Sequence, residues 1–141
     1  MQQVNNVLLV DDDLMSNIIN KKIIQVSKFT NNVAFYLRAS EAIVYLKKLL
    51  TIKSADFPNV VFVDINMPEM SGWDFIDELN KLPEFPINKC KIIPMSSTIS
   101  GESFVKSKSN RQTCDVILKP LTFDKIGMLN ANYCGVYNLA I

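Results

Sequence analysis

Short apolar runs alternate with segments of helical periodicity along this chain. The runs cover residues 7–10, 33–37, 60–64, 91–96 and 115–118. Runs of Val, Ile and Leu without polar alternation are typical of strands that are covered on both faces of a parallel sheet. Pro94 removes one backbone donor from the fourth run, and we still predict a strand there. The pattern therefore predicts five strands that alternate with helices, which is an α/β fold.

Apolar residues between these runs recur at the spacing of amphipathic helices. In a first helix capped by Asp13, the predicted core face comprises Leu14, Ile18, Ile19, Ile23 and Ile24. Its predicted solvent face comprises Asn17, Asn20, Lys21 and Lys22. Further helices are predicted from Ser40, after the cap Ser71, within residues 100–111, and after the cap Thr122. The apolar face of the last helix comprises Phe123, Ile126 and Leu129.

The composition is that of one globular domain without a large charge excess. Of the 141 residues, 48% are hydrophobic and 21% are charged, and 15 basic residues balance 14 acidic ones. The chain has no basic cluster for nucleic acid, no apolar run of the roughly 18 residues that span a bilayer, and no signal peptide at its start. We therefore expect a cytoplasmic protein with neither nucleic acid nor membrane as a partner.

The chain contains no histidine, and its three cysteines are Cys90, Cys114 and Cys134. The missing histidine excludes Ser-His-Asp and Cys-His catalysis, histidine-ligated metals and a phosphohistidine on this chain. The cysteines lack metal-site spacing, and we expect small buried or half-buried thiols. Any histidine chemistry must come from a partner.

Charged residues stand at the carboxyl ends of three predicted strands. Asp11, Asp12 and Asp13 follow the first strand, Asp64 ends the third, and Lys119 follows the fifth. Ligands of open α/β sheets bind at that edge, so these side chains can meet in one crevice. Clustered carboxylates repel unless a cation intervenes, and Mg²⁺ prefers such oxygen ligands. This predicts a magnesium site suited to phosphoryl transfer, with a carboxylate as the nucleophile.

Asp64 is the candidate nucleophile, because it stands alone at its strand end while Asp11 and Asp12 are adjacent and better placed to hold metal. Ser96 and Ser97, at the end of the fourth strand, offer a hydroxyl that could bond a phosphoryl oxygen.

Four segments resemble the receiver domain of two-component response regulators. They are VDDD at 10–13, DINMPEMSG at 64–72, MSS at 95–97 and KPLT at 119–122, in the order and spacing of that family. The resemblance implies a flavodoxin-like, doubly wound, five-stranded parallel sheet of order 2-1-3-4-5 with helices on both faces. It also implies a single domain over residues 1–141, with a core at about 5–130 and a short tail at 131–141.

The resemblance further implies a role for each matching residue. Asp64 is the implied phosphoacceptor. The implied ligands of Mg²⁺ are Asp12, Asp64, the backbone carbonyl of Asn66 and, through water, Asp11.

Three more residues match the switch region of the family. Ser96 and Lys119 are implied to contact the phosphoryl group, and a cis bond is implied between Lys119 and Pro120. Val116 stands where the family usually has Tyr or Phe, a ring that turns inward on phosphorylation. An aliphatic side chain cannot report in that way, so an output surface different from the common one is left open.

The leading hypothesis is a stand-alone phosphoacceptor signalling module without independent substrate turnover. Its partners would be a sensor histidine kinase or a histidine phosphotransfer protein, and an unknown downstream protein; a homodimer on phosphorylation is left open. Two alternatives remain: a haloacid dehalogenase-type phosphohydrolase that uses Asp11, and a receiver-like interaction module that is never phosphorylated. Met15 stands where the hydrolase family expects Thr or Val.

Overall fold

Five parallel strands form one sheet in this computed structural model, which describes residues 4–86, 88–98 and 116–130. The strands are β1 (Val7–Val10), β2 (Val33–Tyr36), β3 (Val60–Asp64), β4 (Lys91–Ser96) and β5 (Ile117–Leu118). Their order is β2-β1-β3-β4-β5, which confirms the predicted topology. The second strand ends one residue before the predicted Leu37, and the predicted start of the fifth, Asp115, lies outside the described residues.

The strand register explains why the strand ends meet. Val10 pairs with Tyr36 on one side and with Val63 on the other, so the residue after β1 lies beside the last residue of β3. Every residue of β1 and β3 is buried, as the apolar runs predicted. Pro94 is also buried and pairs with Val63, and β4 continues past it.

Helices cover both faces of the sheet, as predicted. They are α1 (Leu14–Val26), α2 (Ala39–Thr51), α3 (Gly72–Asn80) and α4 (Phe123–Asn130). Alternate residues of β1 point to opposite faces, with Val7 and Leu9 packing near α1 and α4, and Leu8 and Val10 packing near α2 and α3. The helix predicted within 100–111 lies outside the described residues.

The packing of α1 differs in part from the predicted orientation of this helix. Asn17, Asn20 and Ile24 are buried, whereas Leu14, Ile18 and Ile19 are 47–49% exposed. The prediction was therefore wrong for Leu14, Ile18, Ile19, Asn17 and Asn20, whereas the predicted burial of Ile24 is confirmed and Ile23 is partly buried against the core. The physical reason is a buried hydrogen bond of 2.9 Å, in which Nδ2 of Asn17 donates to the backbone carbonyl of Asp11.

The predicted caps of three helices are confirmed. Asp13 accepts from the backbone N–H groups of the first turn of α1, and Ser71 accepts from that of Asp74 in α3. Thr122 Oγ1 likewise accepts from the N–H of Lys125, 3.2 Å away.

The predicted apolar face of α4 is only partly buried. Ile126 and Leu129 are buried, but Phe123 is 57% exposed. Each step of three residues turns the side chain back by about 60° in a helix of 3.6 residues per turn. Three such positions therefore spread over about 120° of the helix surface, and Phe123, at one end of this spread, is the position that lies outside the core.

Cys90 is buried, and burial raises the pKa of its thiol to about 12. It is thus an unreactive core side chain, as expected. Cys114 and Cys134 lie outside the described residues. Within the described ranges, no helix combines the length and apolar character needed to cross a membrane.

Candidate functional site

Three acidic side chains converge at the carboxyl edge of the sheet. Asp11 follows β1, Asp64 ends β3, and Asp12 begins the loop into α1. One carboxylate oxygen of each residue lies within 4.8 Å of those of the other two. Asp11 and Asp64 are 0% and 5% exposed, whereas Asp12 is exposed to solvent. The predicted cluster therefore exists, with two buried carboxylates and one that faces the opening.

Both carboxylate oxygens of Asp11 are already engaged. Oδ1 accepts from the backbone N–H of Asp13 at 2.9 Å, and Oδ2 accepts from Nζ of Lys119 at 2.8 Å. Its backbone carbonyl receives the amide of Asn17. Asp11 is thus held from three sides, which fixes the polypeptide that carries Asp12.

Lys119 follows the edge strand β5 and brings its ammonium group to the acids. Its Nζ lies 2.8 Å from Oδ2 of Asp11 and 3.3 Å from Oδ2 of Asp64. Burial lowers the pKa of this ammonium, but the hydrogen bond and charge of Asp11, helped by Asp64, outweigh burial and raise the pKa above its ordinary value. The backbone N–H of Lys119 donates to the carbonyl of Ser96 at 2.8 Å, and the bond to Pro120 is cis, as expected.

Asp64 is less constrained than Asp11. Its Oδ1 accepts from the backbone N–H of Asn66 at 3.0 Å, and its Oδ2 has the longer contact with Lys119. Burial raises the pKa of this carboxyl, and the nearby charge of Asp11 adds to the effect; the Asn66 and Lys119 contacts act against it. The ionised form of Asp64 is therefore disfavoured where it lies, and a further cation would stabilise it.

Asn66 links the acids to Ser96. Its side-chain Nδ2 lies 3.2 Å from Oγ of Ser96, and the backbone N–H of Thr98 donates to the same oxygen at 3.2 Å. Ser96 is 3% exposed at the end of β4. One residue thus contacts both the Asp64 carboxylate and the serine hydroxyl.

The comparisons with known proteins agree with this geometry. A family model for the response regulator receiver domain matches residues 7–129. The chain belongs to this family. A comparison with curated proteins finds no match.

Solved receiver structures share the whole fold of this receiver domain. A two-component response regulator from Cytophaga hutchinsonii is 28% identical with a TM-score of 0.85, and the match covers 97% of this chain and 99% of that one. A receiver protein from Dyadobacter fermentans is 23% identical with a TM-score of 0.77, over 92% of this chain and 97% of that one. The CheX–CheY–BeF3–Mg²⁺ complex from Borrelia burgdorferi is 21% identical with a TM-score of 0.69, over 89% and 88%.

Membership of the family defines the general role of the chain. Receiver domains are phosphoacceptor modules of two-component signalling rather than conventional enzymes, and they generally use Mg²⁺ at a cluster of aspartates. The predicted family, fold class and signalling role are confirmed, and the phosphohydrolase alternative loses its basis.

The donor set of the receiver domain fits a magnesium ion. Ligand atoms at about 2.1 Å from an octahedral ion are at most about 4.2 Å apart, and one carboxylate oxygen of each of the three acids lies within 4.8 Å of those of the other two. Since Asp11 is also bound by Lys119 and by the Asp13 N–H, contact through a water molecule suits it better than direct coordination. Direct coordination suits Asp12, which is exposed, and Asp64, whose Oδ2 has only the 3.3 Å contact with Lys119.

Two positions of the receiver domain depend on tight packing. Val116 is 7% exposed beside β5, at the position of the usual aromatic ring. Gly72 opens α3, and its N–H donates to the carbonyl of Ile65 at 2.9 Å. A Cβ at Gly72 would lie 2.7 Å from both the carbonyl oxygen of Asp64 and Cα of Ile65, so only glycine fits without a shift.

Sequence reasoning missed Asn17 as a supporting residue of the site. It was assigned to the solvent face because it is polar, although it lies seven residues before the buried Ile24 and therefore on the same helix face. That spacing was the signal that could have identified it.

Proposed function

We propose that Asp64 accepts a phosphoryl group from the phosphohistidine of a sensor kinase or of a histidine phosphotransfer protein. The difference between the two buried acids carries this proposal. Both oxygens of Asp11 are bound at 2.8–2.9 Å, whereas Oδ2 of Asp64 has only the 3.3 Å contact with Lys119. Asp64 therefore has the oxygen that is freer to attack phosphorus.

We propose that Asp12, Asp64 and the backbone carbonyl of Asn66 hold Mg²⁺, with Asp11 contacting the ion through water. The grouping of the three acids supports this assignment. The bound ion would supply charge neutralisation for the carboxylates and for the phosphoryl oxygens. It would also lower the raised pKa of Asp64 and so favour the anionic nucleophile.

The reaction requires positioning and charge stabilisation more than proton transfer. A carboxylate oxygen of Asp64 forms a bond to phosphorus while the phosphorus–nitrogen bond of the phosphohistidine breaks. The ammonium of Lys119, now paired with Asp11 and Asp64, is close enough to contact the phosphoryl oxygens as they arrive. The hydroxyl of Ser96 can donate to another phosphoryl oxygen after it turns from Asn66.

The output of the domain would depend on Ser96, since Val116 has no ring to turn. Ser96 ends β4, and its carbonyl accepts from the N–H of Lys119. A change at the Ser96 side chain therefore occurs next to Lys119. We propose that a downstream protein reads the surface near β4 and β5, in the phosphorylated monomer or in a homodimer.

Exposed apolar residues of α1 suit a contact with the phosphodonor. Leu14, Met15, Ile18 and Ile19 are 47–62% exposed, and α1 begins two residues after Asp12. Exposed apolar surface beside a reactive group is typical of a protein interface. Ile18→Lys should slow transfer from a phosphorylated histidine phosphotransfer protein and leave labelling by acetyl phosphate unchanged; equal slowing of both would count against this surface.

The function is tested by incubation with acetyl phosphate and Mg²⁺, followed by intact mass. One phosphate per chain is expected, and it should be lost in Asp64→Asn. Asp13→Asn is the matched control, because Asp13 caps α1 and asparagine caps a helix equally well. Labelling that survives in Asp64→Asn and disappears in Asp11→Asn would refute the assignment. Absence of labelling with this donor and with phosphohistidine donors would favour the module that is never phosphorylated.

A further inference from the structure

Lys125 holds the backbone on both sides of Lys119. It lies in the first turn of α4, and its Nζ donates to the carbonyl of Leu118 and, at 2.8 Å, to the carbonyl of Pro120. These two carbonyls belong to the residues immediately before and after Lys119. One ammonium group therefore binds the backbone on both sides of Lys119.

The position of Lys125 in its helix indicates that its ammonium stabilises the fold through these two contacts and not through the helix dipole. A positive charge in the first turn of a helix opposes the helix dipole and lowers stability by itself. Here the N–H of Lys125 is bound by Oγ1 of Thr122, and its side chain folds back beyond the helix start. Carbonyl oxygens at short distance compensate for the unfavourable location.

The other contacts of this segment complete a rigid support. The N–H of Lys119 donates to the carbonyl of Ser96, and Leu121 is 1% exposed within the core. With Lys125 in place, the backbone of Lys119 is bound directly at its N–H and indirectly through both neighbours. A side chain of four carbons and an ammonium needs such an anchor to keep its charge between Asp11 and Asp64.

We propose that Lys125 is a positioning residue, which sets the direction of Lys119 toward the buried acids. The phosphoryl role of Lys119 rests on the proposed function, whereas the pairing of Lys119 with Asp11 and Asp64 does not. The position of Lys119 can therefore be tested without any phosphoryl donor.

The first experiment measures acetylation of the Lys119 amine by acetic anhydride, with peptide mass spectrometry and without Mg²⁺ or phosphodonor. In Lys125→Met the stem is kept and the ammonium is lost. Lys119 should then react several-fold faster than in the wild type, because its amine would no longer be held between the two buried acids. Exposed Lys22 serves as the internal reference, and Lys47→Met, which removes an exposed cation on α2, is the control variant.

The second experiment compares the initial rate of labelling by acetyl phosphate at saturating Mg²⁺. Lys125→Met should lower that rate several-fold, and Lys125→Arg, which keeps donors for both carbonyls, should restore both readouts. Lys119 acetylation unchanged in Lys125→Met would overturn the proposal. Faster acetylation without an effect on labelling would retain Lys125 as a positioning residue and count against the proposed role of Lys119 alone. If Lys125→Met does not fold, Lys125→Gln replaces it. Acetylation of Lys119 at the wild-type rate in Lys125→Gln would then overturn the proposal.

Discussion

Adding one methyl group at Gly72 tests the packing that supports the acidic site. The new Cβ would lie 2.7 Å from the carbonyl oxygen of Asp64 and from Cα of Ile65, and both are backbone atoms that cannot rotate away. Ordinary contact begins near 3.4 Å, so α3 or the end of β3 must move by about 0.7 Å. Overpacking of this kind costs about 1–3 kcal/mol. Gly72→Ala should lower the free energy of unfolding by that amount.

The matched control is Gly127→Ala in α4. A Cβ at Gly127 has no atom within 4 Å, so only the preference of alanine for a helix applies. That variant should be more stable than the wild type by about 0.5–1 kcal/mol. Urea unfolding gives both values, and an unchanged slope with denaturant would assign each change to stability alone.

The same displacement should weaken the site, because the crowded carbonyl belongs to Asp64 itself. We expect Gly72→Ala to bind Mg²⁺ with lower affinity, which a titration monitored by the fluorescence of Trp73 would measure. We also expect slower labelling by acetyl phosphate. A Gly72→Ala variant as stable as the wild type would refute the packing argument. A destabilised variant with normal Mg²⁺ affinity would locate the movement in α3 rather than in β3.

Four further variants test the charges of the site and the orientation of α1. The raised pKa of Asp64 means that the folded chain binds its proton more tightly than the unfolded chain does, so stability falls as pH rises above the ordinary value of 3.8. Asp64→Asn should therefore unfold at a higher temperature than the wild type at pH 7 in EDTA, and this advantage should vanish below about pH 4; a variant less stable at pH 7 would contradict it. The raised pKa of Lys119 also makes stability fall as pH rises, but in the alkaline range, because its stabilisation is complete below 10.5 and is lost as pH rises through the higher folded value. Lys119→Met leaves two buried acids without their partner, which costs about 3 kcal/mol at pH 7 without metal, and its Mg²⁺ affinity should not fall; a large loss of that affinity would oppose the assignment. Ile18→Lys should change the free energy of unfolding by less than about 0.5 kcal/mol, whereas Ile24→Lys should cost at least about 3 kcal/mol; similar losses in both would mean that Ile18 is buried after all.

The sheet, and the acids at its carboxyl edge, were predictable because strand signals in this chain are strong and local. The runs at β1 and β3 are buried on both faces, so their apolar character needed no knowledge of neighbours. An acid that follows such a run must lie at the carboxyl edge, and parallel pairing then brings Asp11 beside Asp64. The caps Asp13 and Ser71 depend on one turn of chain and were equally readable.

The difference in contacts between the two buried acids was not predictable in the same way. Asp11 and Asp64 both follow apolar strands, and the sequence separates them only by their neighbours. The distances that distinguish them involve the N–H of Asp13 and the ammonium of Lys119, which is 108 positions along the chain from Asp11. The raised pKa of Asp64 likewise depends on burial, which is set by the whole fold.

The unpredicted burial of Asn17 in α1 shows how a polar contact can favour one helix face over another. Both faces carry residues at helical spacing, and hydrophobicity alone favours burial of Leu14, Ile18 and Ile19. Full burial of such side chains contributes about 1.5–3 kcal/mol each, so leaving each of them half exposed gives up about 1 kcal/mol. Burial of Asn17 secures the carbonyl of Asp11 and thereby the start of the acidic loop, at the further cost of a buried Oδ1 without a hydrogen-bond partner. The fold thus gives up stability in α1 to hold the acidic edge, and the apolar surface that this leaves outside is the one at which we propose that the phosphodonor binds.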